Sequence, residues 1–367
     1  MQARPHTPTT QRNSKMSLPI PELQKAAVIE NPGPQAKITI QNNVPVGTPV
    51  GNEILVKLTH SGICRSEIRA FLGWGPYRSI IGHEGVGTVV KLGEKVHESM
   101  LGQRVGVKWL YSACGDCSAC SRDYPNNCPS QLNTGKQVPG TLQQYVVADA
   151  RYITKIPTSL ASEIAAPLLC AGLTMAGAVS KLEGELFKGD WVVVSGSGGG
   201  LGHVGVQIAS RLNGYRVIAI DSGQSKRELS FTSGAEHFID YSEEDIESRV
   251  KEITGEGAHA VLIVSGSETA FETAPKLVRN MGLIVTIGLP PNDYNIPIPA
   301  SLCSARALTV TGVATGTERQ MEALLDQAAT GKISPAVEIL NLDEISGIFE
   351  RLKNDEITGR IVVRIPE

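Results

Sequence analysis

From Asp190 onward the chain alternates short apolar runs with segments whose apolar residues recur about every 3.6 positions, the grammar of a parallel sheet covered by helices. "WVVVSGSGGG" reads as a buried strand running into a loop, and "LGHVGVQIASRLN" follows as a helix with Val204, Ile208 and Leu212 on one face. "RVIAID", "HFID", "HAVLIVSG", "GLIVTIG" and "ALTVTGV" are five further strands, and six strands separated by helical segments predict a doubly wound dinucleotide-binding unit. The stretch from about Pro19 to Gly172 is patterned differently: short β-like pieces are punctuated by Gly and Pro, predicting a mostly β domain. After about Thr315 come an amphipathic helix, "ERQMEALLDQAATG", and a terminal strand, "GRIVVRIPE". The expected architecture is α/β, with residues 174–314 inserted into a discontinuous domain made of 19–173 and 315–367.

A chain of 367 residues, 41% hydrophobic, buries a sizeable core over two domains. Its net charge of −3, with both signs mixed along the chain, gives no reason to expect nucleic acid or membrane as a partner. No uninterrupted apolar run approaches the ~20 residues of a membrane span. Residues 1–15 contain Arg4, Arg12, Lys15, several Thr and no acid, the composition of a mitochondrial presequence. They are short and lack apolar periodicity, so a flexible extension over 1–18 is the favoured reading. Seven cysteines, an odd number, without a secretory signal point to a reducing, cytoplasmic setting.

Four of those cysteines crowd into "SACGDCSACSRDYPNNC" as Cys114, Cys117, Cys120 and Cys128. The C-x-x-C steps suit the tetrahedral thiolate set of a structural zinc better than a disulfide knot in this compartment. Four protein ligands saturate the ion and leave no place for substrate, so chemistry must happen elsewhere. Cys64 in "SGICRSEIRA", Cys170 in "APLLCAGLT", Cys303 in "ASLCSARAL" and His83 in "IIGHEGVG" remain. Two thiolates and one imidazole would make an open, catalytic site.

In "SGSGGGLG" the glycines Gly196, Gly198, Gly199, Gly200 and Gly202, with Leu201 among them, join a strand to a helix. The loop departs from a literal G-x-G-x-x-G, yet still lets backbone approach a pyrophosphate at a helix N-terminus. Asp221, closing "RVIAID" about 20 residues further on, is placed to accept the ribose hydroxyls and to repel a 2′-phosphate, which favours NAD over NADP.

Taken in order, "GICRSE", "GHEGVG", "GVKWL", the four-cysteine lobe, "LQQYVVADA", "LLCAGLT", "SGSGGGLG", "GYRVIAID" and "GRIVV" resemble the zinc-dependent medium-chain alcohol dehydrogenases, the fungal enzymes above all. The resemblance covers about Pro19 to Arg364. It implies a GroES-like catalytic domain, a Rossmann NAD-binding domain, two zinc ions per chain, and a homodimer or homotetramer. It also implies hydride exchange between a small alcohol or carbonyl compound and nicotinamide. By the same resemblance Cys64, His83 and Cys170 hold the catalytic zinc, with Glu84 close behind it, and the lobe holds the second ion. Ser66 takes the alcohol proton, Arg65 and Arg360 meet the pyrophosphate, and Lys226 touches the ribose. Trp74 and Trp109 wall the substrate pocket.

Arg69 stands where the family often carries the last histidine of its proton relay, and an arginine is no base near neutral pH. The segment from Cys64 to His83 is shorter than in fungal ethanol dehydrogenases, which predicts a wider mouth and a bulkier substrate, such as a biosynthetic intermediate. The competing readings are a reductase of C=C or iminium bonds and a non-catalytic NAD-binding zinc protein. Retention of Ser66 and of all three ligand candidates argues against both.

Overall fold

The computed structural model describes residues 19–291 and 294–367; the expected extension over 1–18 lies outside the described residues. Two sheets organise it. The six strands read from the apolar pattern form one parallel sheet. Across the sheet they run His237–Asp240, Arg216–Asp221, Trp191–Ser195, Ala258–Ile263, Val278–Thr286 and Thr309–Gly312. In chain order this is 3-2-1-4-5-6, the doubly wound dinucleotide-binding topology. Its crevice opens where the order reverses, beyond the ends of Trp191–Ser195 and Ala258–Ile263. Trp191–Ser195 is buried along its whole length, as a central parallel strand must be.

The second sheet is mixed and has seven strands. Glu53–Ile63 sits at its centre, pairing antiparallel with Gly85–Leu92, Tyr145–Asp149 and, from the far end of the chain, Arg360–Arg364. The terminal strand therefore belongs to the early β domain, with Ile361 opposite Ile63. That register sets Arg360 beside the end of Glu53–Ile63, immediately before Cys64.

Between the sheets lies the helical run Ser162–Ser180, whose mean hydropathy of 1.5 and length would suit a membrane span. It is 72% buried inside the protein, and Leu168, Leu169 and Met175 are among the largest fully buried side chains. This is a core helix, apolar all round because both domains pack on it. Its middle turn, Leu168–Gly172, widens into a π-helix that carries Cys170.

The helix that follows the glycine loop differs from its reading in one respect. Val204 and Ile208 are buried, but Leu212 is 37% exposed. The stretch Ile208–Leu212 is also π-helical, and the added residue per turn rotates Leu212 off the apolar face. The tail helix Glu318–Ala329 follows its pattern: Met321, Leu324, Leu325 and Ala328 are buried, and Thr317 with Gln320 forms a capping box at its start.

Candidate active site

Folding brings three distant segments to one point. Cys64 follows the central strand Glu53–Ile63, His83 precedes Gly85–Leu92, and Cys170 rides on the π turn of the core helix. The Sγ atoms of Cys64 and Cys170 are 3.9 Å apart, and His83 Nε2 is 3.3 Å from Cys170 Sγ. With a carboxylate oxygen of Glu84, these ligand atoms all lie within 4.8 Å of one another. Tetrahedral zinc with bonds of about 2.3 Å to sulfur sets neighbouring ligand atoms about 3.8 Å apart, so the set fits that ion. Cys303 is not part of it; it sits on the helix Ala300–Arg306.

The charges of the cluster suit a cation. Hydrogen bonding to Cys170 draws the Cys64 thiol well below its ordinary range, and the same contact drives Cys170 well above. One sulfur of the pair keeps the proton that a dication displaces. Burial alone would lower His83, but the neighbouring Cys64 lifts it to about 9.

Glu67, absent from the motif reading as a functional residue, supports the imidazole from behind. Its Oε1 lies 3.4 Å from His83 Nδ1, leaving Nε2 to face the sulfurs. Burial lifts this carboxyl to about 8. A carboxyl group behind a histidine of such a cluster is a recurrent metal-site device, and in the sequence Glu67 is only a single acid after Ser66 in "CRSE". Ser66 itself turns its hydroxyl toward the cluster, 3.2 Å from Cys64 Sγ.

Glu84 is fully buried and forms an ion pair with Arg360, which is 3% exposed. A Cβ on Gly62 would fall 2.0 Å from Glu84 Oε2, so only glycine leaves room for this carboxylate. Arg360 was expected at the pyrophosphate; instead its guanidinium is committed to Glu84, while its stem lies against Gly200, where a Cβ would come within 2.4 Å of Arg360 Cδ. It thereby links the metal cluster to the glycine loop. Arg65, the other expected pyrophosphate partner, is exposed and pairs with Asp355.

The loop itself is built for close approach. Gly202 could carry no side chain, since its Cβ would lie 2.0 Å from Gly196 O. Gly199 faces open space, with no atom nearer than 3.6 Å to a Cβ placed there. Leu201 caps the helix that begins at Gly202. Asp221 accepts from Gly198 N at 2.9 Å and pairs with Lys226 Nζ at 3.1 Å, so the acid and the lysine stand together at the ribose end of the loop. His203, also missed in the sequence, is fully buried behind this loop. Its Nδ1 meets Gly199 O at 2.8 Å and its Nε2 accepts from Ala336 N at 3.0 Å. Burial lowers its pKa to about 4, which keeps it neutral.

Away from this centre, the sulfurs of Cys114, Cys117, Cys120 and Cys128 lie within 4.8 Å of one another, with separations of 3.4, 3.6 and 3.9 Å between successive close pairs. These are tetrahedral edges again. All seven cysteines are free of disulfides.

Trp109 packs its ring edge-on to His83 at 5.2 Å, and Trp74, 42% exposed, carries the Arg69 guanidinium over its face at 5.7 Å. The cleft beside Ser66, Tyr77, His83 and Trp109 is narrow, about 10 Å³. Trp109 also borders a larger cavity of about 200 Å³ beneath the four-cysteine lobe. The floor of the cleft is tight, while Trp74 on the same 64–83 segment is exposed.

A GroES-like β domain joined to a parallel dinucleotide-binding sheet, with an open Cys–His–Cys site at the junction, defines a metal-dependent dehydrogenase. Comparison with known proteins makes this specific. Residues 50–158 match the alcohol dehydrogenase GroES-like domain and residues 200–330 the zinc-binding dehydrogenase family. Alcohol dehydrogenase 2 of Emericella nidulans is 39% identical, covering 94% of this chain and 98% of its own length. An alcohol dehydrogenase of Geobacillus stearothermophilus is 39% identical over 86% of the chain and 92% of its own length. Among solved structures, the alcohol dehydrogenase of Aeropyrum pernix superposes with a TM-score of 0.84 at 27% identity, covering 93% of this chain and all of that one. Acetophenone reductase from Geotrichum candidum, in complex with NAD, gives 0.81 at 26% identity, covering 94% of this chain and 98% of its own. The chain belongs to the zinc-dependent medium-chain alcohol dehydrogenase family. It is an NAD-linked alcohol dehydrogenase with zinc and NAD as cofactors, and the C=C reductase and non-catalytic readings are set aside.

Proposed function

We propose that Cys64, His83 and Cys170 hold the catalytic zinc and that Ser66 is the group that handles the substrate's proton. The observation that carries this is the convergence of the three ligand atoms beside the Ser66 hydroxyl. When bound, zinc supplies Lewis acidity at the substrate oxygen and NAD the hydride acceptor. Ser66 accepts the proton of the alcohol as the C–H hydride departs, and passes it outward; in the reductive direction it returns it. Glu67 holds His83 in the tautomer that presents Nε2. Glu84, neutralised by Arg360, stays behind the ligands without adding a net charge to the site. Asp221 and Lys226 take the adenosine ribose, Gly196 to Gly202 with Leu201 cradle the pyrophosphate, and Arg65 exchanges Asp355 for a phosphate. Arg360 stiffens the loop from below. The four-cysteine lobe holds a second, structural zinc.

The domain limits that follow are 19–173 with 315–367 for the catalytic part and 174–314 for the NAD-binding part. Self-association into a dimer or tetramer is supported by the edge strand Thr309–Gly312, which leaves backbone groups unpaired on one side and Val310 38% exposed. A cytoplasmic location fits seven reduced cysteines. The substrate is larger than ethanol: the tight floor takes the reacting carbon, and the exposed Trp74 at the mouth receives the remainder. Oxidation rates over a panel of alcohols test this, and a clear preference for ethanol over aromatic alcohols rejects it.

A further inference from the structure

Residues 65–82 and 131–140 supply Ser66, Tyr77, Thr134 and Gly135 to the lining of the cleft, and the two segments together carry Arg65, Arg69, Arg78 and Lys136 but a single acid, Glu67. Glu67 is buried and turned to His83, so it neutralises nothing at the mouth. Arg65 is answered by Asp355, and Arg78 donates to Gln137 O at 2.9 Å. Among the described residues Arg69 and Lys136 make no ion pair; each lies on an aromatic ring. Arg69 sits over Trp74, and Lys136 Nζ is 5.7 Å from the centre of Tyr77. Tyr77 lines the cleft with Ser66, and Arg69 is close enough to oppose the rise that burial imposes on the Tyr77 hydroxyl. Arg69 is also one helical turn from Ser66, donating its backbone N–H to Ser66 O at 3.1 Å.

We propose that this mouth selects an alcohol or carbonyl substrate that carries a carboxylate, with Arg69 as the principal anchor, Lys136 as the second cation, and the Trp74 and Tyr77 rings as walls for the substrate's body. The proposal rests on the alcohol dehydrogenase reading and adds the substrate class. A guanidinium offers a carboxylate two parallel hydrogen bonds, and aromatic walls that exclude water strengthen the pairing. The arginine at the position of a relay histidine then has a use that proton transfer denies it.

The test compares 4-(hydroxymethyl)benzoate with benzyl alcohol, which differ only in the carboxylate, at saturating NAD. The wild-type enzyme is expected to favour the benzoate at least tenfold in kcat/KM, mostly through KM, and the preference should shrink as salt is raised. Arg69→Lys should keep part of it, and in Arg69→Gln/Lys136→Gln the ratio should fall to about one. A wild-type ratio below tenfold, or a ratio that survives in the double variant, overturns the proposal. If the double variant instead raises KM for NAD while the ratio stands, Arg69 serves the cofactor and the proposal is again overturned. Absence of turnover with both alcohols and both aldehydes would remove the dehydrogenase reading itself, and this proposal with it; turnover of benzyl alcohol alone removes only the proposal.

Discussion

Ser66 caps the short helix Glu67–Phe71 and Arg69 lies on it one turn further on, yet their side chains suit unlike tasks. Ser66 has a hydroxyl that can exchange a proton and stands 3.2 Å from Cys64 Sγ; Arg69 offers a planar guanidinium suited to pairing with a carboxylate. With benzyl alcohol, a neutral substrate, Ser66→Ala is expected to slow hydride transfer by about 10²-fold or more, and Arg69→Ala by far less. Single-turnover rates check this, and equal losses would end the Ser66 assignment. Glu67→Gln keeps the shape but replaces the carboxyl behind His83 with an amide, so metal affinity should fall by roughly 10- to 100-fold. Competition with a chromophoric chelator measures it directly. That Cys64, His83 and Cys170, the proposed ligands, would converge was legible because several short motifs occur in order. Glu67 was not singled out, since one acid after a serine carries no pattern; only the 3.4 Å approach to His83 gives it a role.

At the scale of elements, the strands were readable from apolar runs, because a parallel sheet buried on both faces demands them. The π turns at Leu168–Gly172 and Ile208–Leu212 were not: each adds one residue to a helical turn, a change of phase that composition does not mark. His203 was hidden for a related reason. Its value comes from Ala336, 133 residues away, whose N–H it accepts. The neutral ring uses both nitrogens to tie the glycine loop to the catalytic domain, and protonation would set two donors against each other at Ala336. The folded-state pKa of about 4 lies below the ordinary 6.5, so the folded protein binds fewer protons between these values. Stability from this group is complete above about pH 6.5 and is lost as pH falls toward 4, by up to about 3 kcal/mol. Thermal unfolding across that interval should show a shallower pH dependence for His203→Gln than for wild type. Parallel curves would deny His203 this part.

For the whole molecule, the fold class followed from where the apolar rhythm changes, whereas the buried Arg360–Glu84 pair depended on side chains 276 residues apart. The terminal strand must pair with Glu53–Ile63 before Arg360 can reach the metal cluster. Cofactor choice is also a property of the assembled loop. With Asp221 at the ribose end, NADH should exceed NADPH at least 100-fold in catalytic efficiency, and Asp221→Ala should narrow the gap by about tenfold or more; an NADPH preference in the wild type would contradict this role.

The central claim is a division of labour between two zinc sites, a dispersed one that performs chemistry and a dense one that holds structure. Zinc content measured together with alcohol oxidation tests it most directly, in wild type, Cys64→Ala and Cys120→Ala. Two zinc ions per chain are expected in wild type, and one in Cys64→Ala with oxidation abolished while its unfolding temperature stays near that of wild type. One is expected in Cys120→Ala, with oxidation retained by the folded enzyme at low temperature and a lowered unfolding temperature. A Cys64→Ala enzyme that keeps both ions or oxidises alcohol at the wild-type rate would contradict it.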